Sequence, residues 1–283
     1  MFKKITIGGV KNINISSNES FKKQKKQCIL PHYHDSIELI HVLDGCLHCL
    51  IQGKEYIINK DHLCIINQNN IHRIDSEKES NCDFRSIMID PSFFASDKDI
   101  YNKYIEPVLL DEGFSQIILS SKSIFAKDIV NIIDSISDLK RFKPDAYEID
   151  IVAFIYMILK KLYMLYKSTK GEFSVPVDTD ALLYRKIVDF IYKNYSKKLS
   201  LDDIANAGNI SRSKCCILFK KYAQSSPINF LNLYRMEISA SLLRNTNESI
   251  SSIAFACGFG QQSYYNRLFL REYGMTPKEY RKN

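Results

Sequence analysis

The sequence predicts an α+β protein with a β-rich N-terminal domain that ends in helices, followed by an all-helical C-terminal domain. Three observations indicate this. Short β-prone runs separated by turn residues fill much of residues 1–90. Longer apolar runs at helical spacing follow them. A helical pattern then occurs twice in the last part of the chain. At 283 residues the chain is long enough for two separate cores.

The β-prone runs are best defined between residues 28 and 74. Turn signals such as Asp44-Gly45 and Gln52-Gly53 separate them. The runs are IELIHVL (37–43), CLHCLI (46–51), EYIIN (55–59), HLCIIN (62–67) and, further on, FRSIMID (84–90). Strands at roughly ten-residue spacing favour a sandwich or barrel. Residues 1–27 predict only a strand or two and a lysine-rich loop around 22–26.

Three helices are predicted after the β-rich part, over residues 93–110, 123–139 and 146–167. The third is apolar around much of its girth and therefore needs two packing partners. We expect these partners to be the β part of its own domain and a second subunit. The alternative is that the helix is buried within one monomer.

These elements define the expected domains. The first covers residues 1–167, with a β part over about 1–90 and helices over about 91–167. A linker rich in Gly, Pro, Ser and Thr covers 168–180, and the helical domain covers 181–283.

Positive charge is concentrated in the C-terminal part. From Asp180 onward, 16 Lys and Arg stand against 8 Asp and Glu, whereas the rest of the chain holds 23 against 24. This distribution favours a module that contacts phosphates. No signal peptide is evident, and the most apolar run (151–159) is too short to span a bilayer. The eight scattered cysteines suit reduced thiols. We therefore expect a cytoplasmic protein that does not bind a membrane.

Residues 249–281 predict a short helix, a turn, a longer helix and a final capped helix. Gly258 supplies the positive φ that a tight turn requires, and Phe259 supplies an apolar plug. Gly274 is expected to end the longer helix. The predicted buried stripe of that helix consists of Tyr264, Tyr265, Leu268 and Phe269.

The spaced residues of this segment resemble the signature of the AraC/XylS family of bacterial transcription regulators. They are Ile253-Ala254, Gly258-Phe259, Tyr265, Arg267, Phe269, Gly274, Thr276-Pro277 and Tyr280-Arg281. The pattern occurs in part 49 or 50 residues earlier, at Ile204-Ala205, Phe219, Ser226-Pro227 and Phe230. We therefore predict two helix-turn-helix units joined by a helix over 227–243, with Asn209 at the turn position of Gly258.

The two recognition helices supply the candidate DNA contacts, because amide and guanidinium groups can contact base edges. The base-contact candidates are Arg212, Ser213, Lys214, Cys216 and Ile217 in the first unit, and Gln261, Gln262, Ser263, Asn266 and Arg267 in the second. The phosphate candidates are Ser211, Lys220, Lys221 and Arg271. Many family members carry arginine at the position of Ile217. We therefore expect the first unit to recognise shape and thymine methyl groups, and the second to supply most hydrogen-bond specificity.

A second resemblance lies in the β-rich part. His32, His34, Glu38, Gly45 and His72 resemble the cupin motif of jelly-roll proteins, which binds a divalent metal in many cupins. Asn67 and Asn69 replace the usual proline and glycine before the last histidine. Three interpretations of His32, His34, Glu38 and His72 stay open: an effector pocket, a metal site, or polar contacts that hold the fold. We favour the effector pocket and predict no cofactor.

Together the resemblances imply a cupin-like effector-binding and dimerisation domain attached to a DNA-binding domain. The expected function is a homodimeric, sequence-specific transcription regulator, more an activator than a repressor, controlled by a small molecule. It would bind double-stranded DNA and, as an activator, RNA polymerase; no catalytic residue is predicted. One alternative is a metal-dependent cupin enzyme, such as a dioxygenase or isomerase, with an appended DNA module. Another is a ligand-independent regulator controlled by a partner protein.

Overall fold

The computed structural model describes residues 13–15, 19–21, 28–76, 82–169 and 178–282. They divide into two compact units, one formed by the chain before residue 178 and the other from Asp178 onward. Residues 22–26 and most of the predicted linker, 170–177, lie outside the described residues.

The strands of the N-terminal unit form two antiparallel sheets. They are β1 (Ile13–Ile15), β2 (Glu19–Phe21), β3 (Cys28–His32), β4 (Ile37–Asp44), β5 (Cys46–Ile51), β6 (Lys54–Asn59), β7 (Leu63–Ile66), β8 (His72–Ser76), β9 (Cys82–Ile89) and β10 (Gln116–Leu119). The larger sheet has the order β1-β9-β4-β7-β10, with β2 also paired to β9; the smaller has the order β3-β8-β5-β6. Two facing antiparallel sheets confirm the predicted jelly-roll-like class.

Strand β4 separates two cores, because successive strand side chains point to opposite faces. Ile40 and Val42 lie in the core between the sheets. Ile37 and Leu39 lie on the other face and pack against helices. Glu38 has the same alternation as Ile40, which directs its carboxylate between the sheets among apolar side chains.

The helices of this unit are α1 (Lys98–Ile100), α2 (Glu106–Leu110), α3 (Ile124–Phe142) and α4 (Tyr147–Thr169). The single helix predicted over 93–110 was wrong. A 3-10 turn (Pro91–Phe94) is capped by Asp90, and α1 is capped by Asp97, so two separate starts divide the segment. A π-helical turn (Tyr101–Ile105) joins α1 to α2. Strand β10 was not predicted; it extends the larger sheet beyond β7.

The C-terminal unit is entirely helical in its described residues. Its helices are α5 (Thr179–Asn194), α6 (Leu201–Ala207), α7 (Arg212–Ala223), α8 (Pro227–Asn245), α9 (Ile250–Ala256), α10 (Gln262–Tyr273) and α11 (Pro277–Lys282). Serine side chains at 200, 211 and 249 accept hydrogen bonds from the first turns of α6, α7 and α9, which fixes where these helices begin.

The two helix-turn-helix units, α6–α7 and α9–α10, confirm the predicted repeat. Asn209 (φ 55°) and Gly258 (φ 84°) both adopt the left-handed conformation at equivalent turns. The recognition helices α7 and α10 also end alike, at Gln224 and Gly274 with positive φ. Helix α8 joins the units.

None of the helices in the described part of the chain is both long enough and apolar enough to cross a bilayer.

Candidate functional site

Helix α7 exposes a narrow face that contains most of the first unit's base-contact candidates. Cys215, Leu218 and Phe219 are buried against the rest of the unit. Ser213, Cys216 and Ile217 lie on the opposite side and are exposed. The Ile217 side chain is 59% exposed, so this face presents a large apolar group.

The cationic candidates of the first unit face carboxylates. Arg212 forms a paired hydrogen bond with Asp202 of α6. The Nζ of Lys214 lies 2.8 Å from Asp180. The Nζ of Lys221 lies 3.0 Å from Asp178. Sequence reasoning missed all three carboxylates. A part of the positive charge of this recognition helix is therefore balanced within the protein.

Asp178 is held by more than its ion pair. Tyr222 Oη donates a hydrogen bond to Asp178 Oδ2 at 2.6 Å, and the other carboxylate oxygen caps the start of α5. Burial alone would raise the pKa of Asp178, but the hydrogen bonds from Tyr222 and Lys221 outweigh it and hold the pKa below its usual value. The residue that begins the C-terminal unit is therefore a fixed negative charge beside α7.

Helix α10 exposes Ser263 and Arg267, as predicted, together with two residues that the sequence did not assign to this face. Tyr264 is 37% exposed, so the prediction that it belongs to the buried stripe was wrong. The guanidinium carbon of Arg267 lies 5.5 Å from the Tyr264 ring centre. Leu270 is also exposed. Tyr264 and Leu270 each lie three residues from Arg267, and Leu270 lies seven residues from Ser263. This helical spacing is the signal that could have placed them on one face with Arg267 and Ser263.

The other second-unit candidates differ in their exposure. Gln261, before the first residue of α10, is exposed, as is Arg271, one turn beyond Arg267. Gln262 and Asn266 are half-buried. The Oδ1 atom of Asn266 is buried and has no hydrogen-bond partner among the described residues. Within helix α10 itself, Ser263 and Arg267 are thus the exposed base-contact candidates.

In the N-terminal unit, His32, His34, Glu38 and His72 come together as the sequence predicted. Each offers one nitrogen or oxygen atom, and these four atoms all lie within 4.8 Å of one another. His32 and His72 are cross-strand partners of β3 and β8, and a register shift in β3 lies just before His32. Glu38 reaches them from β4 in the opposite sheet, with Oε2 3.0 Å from His72 Nε2 and 3.4 Å from His34 Nε2.

Burial and the contacts between its members together set the ionisation of this cluster. The pKa of His32 lies well below its usual value, first because of burial and then because of neighbouring His72. Burial acts in the opposite direction on Glu38, but contacts with His34 and His72 outweigh it and lower the pKa of the carboxyl well below its usual value. Neutral His32 beside ionised Glu38 is the resulting state.

The turn before β8 supports the cluster. Asn69, at the position of the usual glycine, adopts φ 61°, and its N–H donates to the His34 carbonyl at 2.8 Å. The Asn70 side chain donates to the carbonyls of Asn67 and Ser115. These bonds hold the His34 loop and the His72 strand in one arrangement.

Comparison with known proteins agrees with both halves of this description. Residues 25–135 match the model of an AraC-like ligand binding domain, and residues 204–283 match a helix-turn-helix domain. The uncharacterised HTH-type transcriptional regulator YdeC of Bacillus subtilis is 26% identical over 255 residues, covering 89% of this chain and 85% of that protein. The lactose operon transcription activator of Staphylococcus xylosus is 30% identical over 167 residues, covering 59% and 58%.

Among solved structures, ToxT from Vibrio cholerae superposes with a TM-score of 0.52 at 18% identity, covering 96% of this chain and 98% of ToxT. That likeness supports the same fold along nearly the whole chain. With a ligand-binding β domain, two helix-turn-helix units and regulators as its relatives, the chain belongs to the AraC family of transcription regulators.

Proposed function

We propose that this regulator is an activator that binds DNA through both recognition helices and responds to a small molecule held in its N-terminal unit. The observation that carries the proposal is the pair of exposed faces on α7 and α10, each at the same place in a repeated unit. Recognition helices of one protein can enter successive major grooves, which are about 34 Å apart. We propose no catalytic role for any of its residues.

The two faces are chemically different, and we propose that they contribute differently. In α10, Arg267 and Ser263 make hydrogen bonds to base edges, with Gln261, Gln262 and Asn266 beside them. In α7, Ile217 and Cys216 contact thymine methyl groups, which favours A·T-rich DNA. The phosphate contacts come from Ser211, Lys220, Lys221 and Arg271.

We further propose that the effector binds beside His32, His34, Glu38 and His72. The His34 side chain is 17% exposed, whereas Glu38 and His72 are buried, and a few convergent polar groups among apolar side chains are what orients a small ligand. Effector binding would then shift the regulator between two states of different DNA affinity.

Self-association is the third part of the proposal. Helix α4 buries one face in its own unit and exposes Ile149, Met157 and Met164 on another, at positions eight and seven residues apart. A second copy of the chain would cover this stripe. The relative from Staphylococcus xylosus is named as an activator, which supports contact with RNA polymerase. We also propose that the protein acts in the bacterial cytoplasm, where the DNA that it would bind lies.

Footprinting of the full-length protein on DNA upstream of its own and adjacent genes tests this proposal. We expect protection over two successive major grooves that changes when an active metabolite extract is added. Protection that is equally strong on unrelated DNA of the same length and base composition would show that the chain binds phosphates without selecting a sequence.

A further inference from the structure

The Arg267 guanidinium on recognition helix α10 lies over an aromatic ring of its own helix. Its central carbon is 5.5 Å from the centre of the Tyr264 ring. A cation within about 6 Å of the face of such a ring is attracted to it. Residues three apart on a helix are neighbours on its surface, so the backbone of α10 itself brings the two side chains together.

The Tyr264 ring is in turn held by groups outside α10. Asn232 Nδ2, on the joining helix α8, donates a hydrogen bond to Tyr264 Oη at 3.3 Å. The Phe259 ring, in the turn before α10, lies 6.4 Å from the Tyr264 ring between centres, at an angle of 57°. Aromatic rings attract each other at such separations and angles. Tyr264 is therefore restrained at its hydroxyl and by a second ring, besides its contact with the arginine.

The second ring is itself fixed. Phe259 is buried, and the guanidinium carbon of Arg235, on α8, lies 5.6 Å from the centre of its ring. The Arg235 guanidinium donates to the carbonyls of Tyr195 and Lys197 at 2.8 and 2.7 Å. Arg267 is thus connected, through two aromatic rings, to a buried guanidinium that main-chain oxygens hold in place.

The first helix-turn-helix unit carries neither member of the pair. The 50-residue offset of the repeat places Lys214 at the position of Tyr264 and Ile217 at the position of Arg267. Lys214 pairs with Asp180 instead. A ring that served packing alone would be equally useful in both units. Its presence beside the arginine, and its absence where the arginine is absent, favours a role in holding the guanidinium.

Restraint of an arginine before it binds affects base recognition in two ways. Fixing the rotatable bonds of a free side chain costs conformational entropy, so a side chain that is already restrained binds at a lower cost. A guanidinium also contacts guanine through two N–H groups at once, which requires a particular orientation of its plane. An aromatic ring stacked against the guanidinium limits the orientations of that plane.

We infer that Tyr264 is a positioning residue that holds the Arg267 guanidinium for contact with one base pair, and that Asn232 and Phe259 hold Tyr264 for this role. The inference rests on the proposed base contact of Arg267 and supplies the reason why this arginine selects a base. The joining helix α8 contributes to sequence selection through its hydrogen bond to Tyr264.

A double-mutant cycle on Tyr264 and Arg267 tests the inference. The probes are the duplex that the full-length protein protects in the footprint and the same duplex with single base-pair changes, measured by fluorescence anisotropy. Tyr264→Leu should lower discrimination about three- to tenfold at the base pair that Arg267→Ala identifies. In the Arg267→Ala background the same change should cost less than about twofold. Tyr264→Phe keeps the ring and should retain discrimination to within about twofold of the wild type.

Phe255→Leu is the matched control, because it makes a similar aromatic-to-aliphatic change at an exposed ring on α9 of the same unit. It should leave discrimination unchanged. If Tyr264→Leu unfolds at a lower urea concentration than the wild type, Tyr264→Met takes its place, since a flexible methionine fills similar space without a ring.

Equal losses in both backgrounds, or no loss in either, overturn the positioning role. Sequence selection that depends on Arg267 but survives the loss of the Tyr264 ring leaves the regulatory function standing and refutes this inference alone. A wild-type protein that binds every duplex of the set equally well refutes both.

Discussion

Gly258 lies directly against the main chain of Tyr195, so that a Cβ on Gly258 would stand 2.7 Å from the Tyr195 carbonyl oxygen. The same Cβ would stand 2.8 Å from the Ser196 oxygen and 2.9 Å from a guanidinium nitrogen of Arg235. Arg235, in the joining helix α8, itself donates to the carbonyls of Tyr195 and Lys197. The turn of the second unit is therefore packed on the residues that follow α5, with the Arg235 guanidinium beside both.

Gly258→Ala should destabilise the C-terminal unit. The left-handed backbone costs a non-glycine residue roughly 1–2 kcal/mol, and the overlap with rigid main-chain atoms adds about 1–3 kcal/mol. We expect the urea midpoint of the full chain's C-terminal transition to fall, with loss of DNA protection by the second unit.

Gly260→Ala is the control for this prediction, because no heavy atom of the described residues lies within 4 Å of a Cβ at Gly260. It should leave the midpoint nearly unchanged. If both variants unfold at the same urea concentration as the wild type, the contact between Gly258 and Tyr195 is not made in solution.

The sequence predicted this turn because the repeat places Asn209 and Gly258 at equivalent positions, and both types tolerate positive φ. The β-prone run IELIHVL (37–43) likewise predicted β4. Strand β10 was not predicted because a run of four residues between two turns is too short to show a periodic pattern. Tyr264 was wrongly assigned to the buried stripe because it lies next to buried Tyr265 and four residues before buried Leu268.

The carboxylates beside α7 could not be predicted in the same way. Asp180 and Lys214 are 34 residues apart, and Asp178 and Lys221 are 43 apart. Their pairing depends on how α5 packs on α7, which no local pattern specifies. Short-range motifs therefore predicted which residues could contact DNA, and tertiary packing decides how much of their charge is available.

The double variant Asp178→Asn/Asp180→Asn should bind DNA more tightly than the wild type. It frees Lys214 and Lys221 from carboxylates 2.8 and 3.0 Å away, so phosphates no longer compete with an internal partner. Asparagine at 178 retains the capping ability that α5 needs. Fluorescence anisotropy at several salt concentrations should show a steeper salt dependence, by up to about two phosphate contacts at roughly 0.9 each.

Asp145→Asn, in an exposed turn of the N-terminal unit, removes the same kind of charge without changing the ion pairs of Lys214 and Lys221, and serves as the control. A gain in affinity per removed charge equal to that of the double variant would mean that net charge alone is responsible, and that the lysines were never restrained by their partners.

Met157→Lys should weaken self-association. Met157 is 48% exposed in the apolar stripe of α4, and burying an unpaired ammonium group in an interface is strongly unfavourable. We expect the dimer dissociation constant to rise at least about tenfold in sedimentation velocity experiments. Ile57→Lys tests a comparably exposed residue on β6, at 58%, and should leave the constant unchanged. A wild-type chain that remains monomeric with its operator bound would refute the dimer.

Arg267→Ala should weaken binding to the selected DNA site by about 1–3 kcal/mol and relax specificity at one base pair. The guanidinium is exposed and lies over the Tyr264 ring, which limits its freedom before binding. Arg267→Lys keeps the charge but loses the paired donors, so it should lose most of the same discrimination.

Arg271→Ala is the matched control, one turn away: loss of a phosphate contact weakens all sequences alike and lowers the salt slope by about one. Ile217→Ala should cost less than Arg267→Ala. An equal loss on every DNA sequence with Arg267→Ala would assign that arginine to a phosphate instead of a base, and specificity would then have to come from Ser263 and its neighbours.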